Sequence, residues 1–255
     1  MPPDTGDDVE GEAVVLAELC DQGYTVIACV KDDNSRHAVH LRQSIPAESL
    51  LVRGMDIESE KSINKFIREV GKNVKGNGVV WALVILNTNS QMRDVDDGAV
   101  DKQIDPLIRK HVIGVGHLIK RCLPLLRTSR GRIIAVTSAA DREGHGKNFE
   151  DAIRSSSLHT LVQVVRRELK SFAVAGVNIE FGCPLAEVSP AEHNITLLQH
   201  PSSVMIASQQ RGQWETDNHI SGEVKEGTFK TIALTVAQSV SARVPELTYR
   251  LDMAS

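Results

Sequence analysis

The sequence has few aromatic residues, no long apolar run and no excess of positive charge, and each absence excludes a class of protein. Aromatic side chains make up 4% of the 255 residues, and two of them, Tyr24 and Tyr249, are tyrosines. No apolar stretch approaches 18 residues, so the sequence predicts no transmembrane segment. The formal net charge of −4 argues against a nucleic acid or an anionic membrane as partner.

Metal-binding and targeting patterns are also missing. The four cysteines are widely spaced and form no CxxC pair, and His37 and His40 have no third ligand nearby, so no metal site is expected. The first twelve residues, MPPDTGDDVEGE, are acidic and lack the apolar core of a signal peptide. We therefore expect an intracellular protein in a reducing compartment, with the cytoplasm as the default.

Apolar, β-branched runs alternate along the chain with amphipathic segments. This alternation predicts an α/β fold, a Rossmann-like doubly wound parallel sheet with helices on both faces. Residues 1–255 contain no linker or repeat, which indicates a single domain, and the mixed polar residues 185–228 indicate a long excursion. The predicted helices cover 11–22, 36–43, 59–70, 105–126, 148–172 and 228–242, and the predicted strands cover 24–30, 49–52, 79–86, 132–138, 177–182 and 247–252.

Short motifs follow these elements in a characteristic order. Asp56-Ile57 comes shortly after the expected strand 49–52, Asn87 follows VVWALVIL, and GRIIAVTS ends at Ser138. Together with Arg166-Arg167-Glu168-Leu169 and the last helix and strand, they resemble the short-chain dehydrogenase/reductase family, in its steroid- and retinol-dehydrogenase-like branch. The resemblance covers nearly the whole chain. It implies a Rossmann-like fold and, in typical members, NAD(P)-dependent oxidoreductase activity.

The resemblance also implies where the catalytic groups of the family stand. Ser138 matches the catalytic serine, but Asp151 stands at the tyrosine position, Ser155 at the lysine position and His111 at the asparagine position. An aspartate of ordinary pKa is ionised at pH 7 and cannot donate the proton that carbonyl reduction requires.

Neither tyrosine restores the YxxxK pattern. The residue four positions after Tyr24 is Ala28, and the residue four positions after Tyr249 is Met253. The sequence therefore predicts loss of the family's usual proton transfer.

The loop that would hold the cofactor pyrophosphate also lacks residues that the family uses there. The family's TGxxxGxG pattern falls on Thr5-Gly6, after which Glu10 and Glu12 stand at the second and third glycine positions. Each carboxylate about 4 Å from a phosphate costs about 4 kcal/mol at an effective dielectric constant of 20. A structural explanation is also available, because acidic residues suit the first turn of a helix. We expect no bound cofactor, with Gly6, Asp56, Ile57 and Asn87 as vestiges of the binding site.

The strand that should precede this loop is not recognisable, because only Met-Pro-Pro-Asp stands before Thr5. Prolines are excluded from central strands. Three explanations remain open: the sheet lacks the strand, residues from elsewhere in the chain or from a partner fill its position, or the amino terminus is incomplete.

Ser138, His145 and Asp151 also have the residue types of a hydrolase triad. No GxSxG elbow precedes the serine and no oxyanion donor is identifiable, so this interpretation is not favoured.

The leading hypothesis is a non-catalytic family member with a structural, scaffolding or binding role. It would act as a homodimer through helices 105–126 and 148–172, which the family commonly uses for dimerisation, or as a subunit of a larger complex. Two alternatives remain. One is an atypical NAD(P)-dependent oxidoreductase for a steroid-, retinol- or lipid-like carbonyl or alcohol, and the other is a ligand-sensing module without turnover.

Overall fold

The alternating pattern of the sequence folds as an α/β structure. The computed structural model describes residues 7–73, 79–86, 100–138, 149–181, 194–200, 218–221, 228–242 and 248–252. Its helices are α1 (Asp7–Asp21), α2 (Arg36–Ser44), α3 (Glu60–Asn73), α4 (Val100–Ile108), α5 (Val115–Ser129), α6 (Phe149–Glu168) and α7 (Thr228–Ser241). Its strands are β1 (Thr25–Val30), β2 (Leu50–Gly54), β3 (Val79–Leu86), β4 (Arg132–Ser138), β5 (Ala175–Phe181), β6 (Asn194–His200), β7 (Asn218–Ser221) and β8 (Thr248–Asp252).

The strands form one sheet in the order β2-β1-β6-β3-β4-β5-β8-β7. This confirms the predicted Rossmann-like fold, with one difference. The described strands run parallel except for β6, which is antiparallel to both of its neighbours, so the sheet is mixed.

Strand β6 lies at the centre of the sheet. The order of a dinucleotide-binding sheet is 3-2-1-4-5-6, and β6 stands where strand 1 would be. Its Thr196 is opposite Ala28 of β1 on one side and Val84 of β3 on the other. The long excursion predicted over 185–228 thus contains a strand of the sheet that the sequence pattern did not indicate. Because β1 and β3 are buried, their backbone N–H and C=O groups require partners, and β6 provides them from within the chain.

Both faces of the sheet are covered by helices, as the continuous apolar runs of its strands require. On β3, Ala82, Val84 and Leu86 belong to the core that includes residues of α1, α2 and α7. The alternate residues Leu83 and Ile85 belong to the core that includes residues of α3, α5 and α6. Each fully buried aliphatic side chain of this kind contributes about 1.5–3 kcal/mol to folding.

The two long helices differ from their predicted bounds. The helix predicted over 105–126 begins earlier, at Val100, and is interrupted by a π-helical segment, Arg109–Gly114, between α4 and α5. Such segments are rare and are often found at functional sites. The helix predicted over 148–172 ends at Glu168, and a 3-10 turn over Lys170–Phe172 follows it. No helix in the described ranges is long and apolar enough to cross a bilayer.

The central position of β6 leads to a stability prediction. Thr196→Pro removes a backbone N–H and constrains the chain between two paired strands, so we expect the free energy of unfolding to fall by about 3 kcal/mol or more. Thr196→Val keeps the N–H and a β-branched side chain, and should lower stability by clearly less than the proline variant. Urea unfolding measures both variants, and hydrogen exchange should accelerate in peptides from β1 and β3 in the proline variant. Wild-type stability of Thr196→Pro would contradict the central placement of β6.

Candidate functional site

The carboxyl ends of the parallel strands form the edge at which doubly wound sheets bind ligands. At this edge β1, β2, β3, β4 and β5 end at Val30, Gly54, Leu86, Ser138 and Phe181. Because β6 runs in the opposite direction, it presents its amino end here, with Asn194 opposite Leu86. Because β8 and β7 are parallel to these strands and also end here, at Asp252 and Ser221, the edge combines seven carboxyl ends with one amino end.

The turn after β2 contains two of the predicted cofactor residues. The backbone N–H of Asp56 donates to Ser62 Oγ at 3.0 Å, and its carboxylate accepts from the backbone N–H of Glu58 at 3.0 Å. Ile57 is buried in the core that contains residues of α3 and α5. Both residues thus order the start of α3, which gives them a structural use independent of any ligand.

The end of β1 brings a carboxylate close to the β2 backbone. Asp33 Oδ1 lies 2.9 Å from the position that a Cβ at Gly54 would occupy, so only glycine fits there without displacing the carboxylate. The Asp33 backbone carbonyl accepts from Arg42 Nη1 at 2.6 Å. Asp33 Oδ1 is buried and has no hydrogen-bond partner within the described ranges. A carboxylate near this position accepts from a ribose hydroxyl in dinucleotide-binding folds, which makes Asp33 the residue best placed for such a contact.

Two predicted catalytic positions are buried where the π-helical segment packs against α6. His111, on the π-helical segment, is 6% exposed, and Ser155, on α6, is 1% exposed. Gly114 allows the close packing on this side, because a Cβ there would stand 2.5 Å from the carbonyl oxygen of Ile57. The structure therefore brings His111, Ser155 and the turn after β2 into one packed region.

The remaining predicted site residues are described in part or not at all. Ser138 is the last residue of β4 and pairs with Phe181, and Asp151 lies in the first turn of α6, four residues before Ser155. The side chains of Ser138 and Asp151 lie outside the described set, as do Gly6, Asn87 and His145 entirely. The hydrolase arrangement therefore stays untested.

A buried polar face lies between α6 and the sheet, and the sequence reading missed it. Thr137 of β4 is buried, as are Asn178 and Glu180 of β5. His159 of α6 reaches this face, with its Nδ1 2.8 Å from Glu180 Oε1. The sequence VNIEF contained a signal for this polar face. In it the polar residues Asn178 and Glu180 alternate with apolar residues of a buried strand.

Tyr24 lies at the opposite edge of the sheet. It immediately precedes β1, whose six residues span about 20 Å at 3.3 Å per residue, so its phenol cannot act at the carboxyl edge. Burial raises the pKa of Tyr24, although the charge of Arg132 and a hydrogen bond with Ser241 act in the opposite direction. A phenol with a raised pKa and no access to the edge is a structural residue.

The described part of the carboxyl edge carries several acid–base side chains. No set of three or more His, Cys, Asp or Glu side chains in the described part of the chain could hold a metal ion. His111, Asp33 and the His159–Glu180 pair can accept or donate protons; Asp33 follows the end of β1, and Glu180 is the penultimate residue of β5.

Comparison with known proteins relates the chain to one family. The sequence profile described as short chain dehydrogenase matches residues 11–193. The chain is 28% identical over 180 residues to rat estradiol 17-beta-dehydrogenase 2, covering 70% of this chain and 46% of that protein. It is 30% identical over 129 residues to human 11-beta-hydroxysteroid dehydrogenase type 2, covering 48% and 30% of the two chains. The chain thus spans less than half the length of these relatives.

Solved structures share the fold at low sequence identity. A proposed 3-oxoacyl-reductase from Bacillus thuringiensis superposes with a TM-score of 0.64 at 17% identity, covering 96% of this chain and 93% of that one. An NADPH-bound carbonyl reductase from chicken fatty liver superposes with a TM-score of 0.51 at 16% identity, covering 61% and 66%.

The contact between Gly114 and Ile57 is testable with a pair of matched glycine variants. Gly114→Ala forces the π-helical segment away from the turn after β2, and we expect the free energy of unfolding to fall by about 1–3 kcal/mol. Gly116→Ala adds the same methyl group where nothing lies within 4 Å, and in a helix this should be neutral or stabilising by up to about 1 kcal/mol. Urea unfolding compares the two. Equal effects would mean that the segment does not pack on Ile57.

Proposed function

The chain belongs to the short-chain dehydrogenase family, and from that premise we propose that it is a non-catalytic member with a binding or scaffolding role. The observation that carries this proposal is the direction of β6. In a dinucleotide-binding fold the central strand leads, at its carboxyl end, into the turn that cradles the pyrophosphate at a helix amino terminus. Here the strand in that position brings its amino end to the same edge. The central strand, β6, therefore does not lead through a turn into α1.

The residues at the family's catalytic positions support the proposal. Ser155 is a buried hydroxyl where typical members use a lysine, and His111 is a buried imidazole where they use an asparagine. Asp151 carries a carboxylate in place of the phenol, so Ser138 would remain without its proton-transfer partners. We propose that these four positions are vestigial.

The cofactor-binding positions fit NAD(P) poorly. Asp56 is used within its own turn, and Ile57 within the core. The chain carries Asp7, Asp8, Glu10 and Glu12 at the start of α1, where a helix amino terminus would otherwise attract a pyrophosphate. We propose that Gly6, Asp56, Ile57 and Asn87 hold no cofactor.

An atypical NAD(P)-dependent oxidoreductase is the second candidate, and Asp33 favours it. Its buried, unpaired carboxylate oxygen stands at the strand end where a ribose would bind. The two dehydrogenase relatives make a steroid-like carbonyl or alcohol the substrate class to try first. A ligand-sensing module without turnover remains the third possibility, and it would share the same cleft.

Exposed apolar side chains support association of the chain with itself. Ile113 of the π-helical segment and Val164 of α6 are both exposed, and they lie on the two long helices predicted to dimerise. Loss of catalysis leaves such a surface unchanged, since fold and active site can diverge separately. We propose a homodimer through these helices, or an equivalent contact in a larger complex.

Nucleotide titration tests the non-catalytic proposal. Isothermal titration with NAD+, NADH, NADP+ and NADPH should show no dissociation constant tighter than about 100 μM, a free energy of about −5.5 kcal/mol. An NADPH-binding carbonyl reductase serves as the positive control. Tighter binding that is lost in Asp33→Asn would contradict the proposal and favour the oxidoreductase instead.

The dimer is tested with two matched surface variants. Val164 on α6 is 36% exposed and Leu234 on α7 is 39% exposed. An aspartate can therefore replace an equally exposed aliphatic side chain at the proposed interface and away from it. Val164→Asp should give a monomer, because an ionised carboxylate does not remain in an apolar contact, whereas Leu234→Asp should keep the wild-type mass. Light scattering after size-exclusion chromatography measures both. A monomeric wild type would refute the homodimer.

A further inference from the structure

The ends of α5 and α6 meet at the amino edge of the sheet, opposite the candidate site. Ala175, which begins β5, donates its backbone N–H to the carbonyl of Gly131, just before β4, at 3.1 Å. The segments that leave the two helices therefore lie side by side. Each passes through a left-handed residue that is not glycine, Arg130 with φ 52° and Ala173 with φ 56°. This backbone conformation is unfavourable for residues with a Cβ. Both residues adopt it where a helical turn ends, with the backbone N–H of Arg130 donating to the carbonyl of Arg127 and that of Ala173 to the carbonyl of Lys170.

These turns carry a concentration of positive charge. Arg127, Arg130, Arg167 and Lys170 are all exposed, and Glu168 is the one exposed acid among them, which leaves a net charge of +3. We call these four basic residues, together with Phe172, the basic patch. The net charge of the whole chain is −4, so the charge of the patch is opposite in sign to that of the chain.

Capping of the helices accounts for part of this charge. A helix carboxyl terminus corresponds to about half a negative charge, so two of them offset about one of the three positive charges. Within the described ranges, no carboxylate forms an ion pair with any of the four basic side chains. The patch therefore keeps an excess of positive charge that the described structure does not neutralise.

Phe172 gives the patch an apolar centre. Its ring is 46% exposed, and the Arg127 guanidinium carbon lies 3.9 Å from the ring centroid. Stacking orients the guanidinium and leaves its N–H donors at the edge free for a further acceptor. Arginines and large aromatic rings are enriched in protein interfaces, and arginines are among the residues that contribute most to binding energy there.

We propose that the basic patch docks an acidic segment of a partner protein. Carboxylates of the segment would pair with Arg127, Arg130, Arg167 and Lys170, and an apolar side chain between them would pack on Phe172. This assignment rests on the binding role proposed above and names its partner chemistry. An anionic bilayer fits less well, because four basic residues and one ring hold a membrane only at about millimolar affinity, in a chain of net negative charge.

The test uses a fluorescein-labelled peptide of sequence EDEELDEE and fluorescence anisotropy. The double variant Arg127→Glu/Lys170→Glu should weaken binding by about tenfold or more, because charge reversal replaces attraction with repulsion. The control Arg36→Glu/Lys61→Glu makes the same change of charge at exposed positions away from the patch, and should change affinity by less than about twofold. Phe172→Ala, which keeps every charge, should weaken binding by about fivefold. Circular dichroism confirms that each variant is folded.

Four outcomes would overturn the proposal. Absence of saturable peptide binding, or an equal loss in the two charge-reversal variants, would mean that the patch is not a specific site. Binding to phosphatidylserine vesicles but not to the peptide would assign the patch to a membrane surface. Self-association abolished by Arg127→Glu/Lys170→Glu without peptide binding would assign it to a second copy of the chain.

Nucleotide binding in the earlier titration would refute the non-catalytic role while leaving the peptide result intact, so the two failures are distinguishable.

Discussion

The backbone pairing of β6 with β1 and β3 is the interaction on which the rest of the structure depends. Two buried parallel strands face each other across the centre of the sheet, and each has a row of N–H and C=O groups that cannot remain unpaired away from water. The segment Asn194–His200 meets both rows at once by running antiparallel between them. Without it, the sheet would divide between β1 and β3, and the helices that cover each face would lose their common support.

The same pairing determines what the carboxyl edge can do. A parallel central strand would lead at this edge into a phosphate-binding turn, whereas β6 presents its amino end here. The groups around it are used for packing. Asp56 orders the turn before α3, and the His159–Glu180 pair stands between α6 and β5.

The two edges of the sheet thus have different characters. At the carboxyl edge, buried polar groups are enclosed by the π-helical segment and α6, with His111 and Ser155 withdrawn from solvent. At the amino edge, helix ends display exposed basic side chains, none in an ion pair with a carboxylate of the described residues, around an exposed aromatic ring. Buried polar groups thus mark the described part of the carboxyl edge, and exposed charge with an aromatic ring marks the amino edge.

The sequence by itself determined the fold class and most bounds of the helices and strands. Apolar runs such as Val79–Leu86 and Arg132–Ser138 could be read directly, because local periodicity and burial on both faces leave a signal in the order of residues. The π-helical interruption before Gly114, the Glu180–His159 contact and the meeting of Arg127 with Phe172 could not, because each joins residues far apart in the chain or depends on packing. The sequence pattern did not indicate which segment occupies the central position of the sheet. Only tertiary structure decided it, since a strand acquires its neighbours from the backbone groups that remain unpaired once the rest of the sheet has formed.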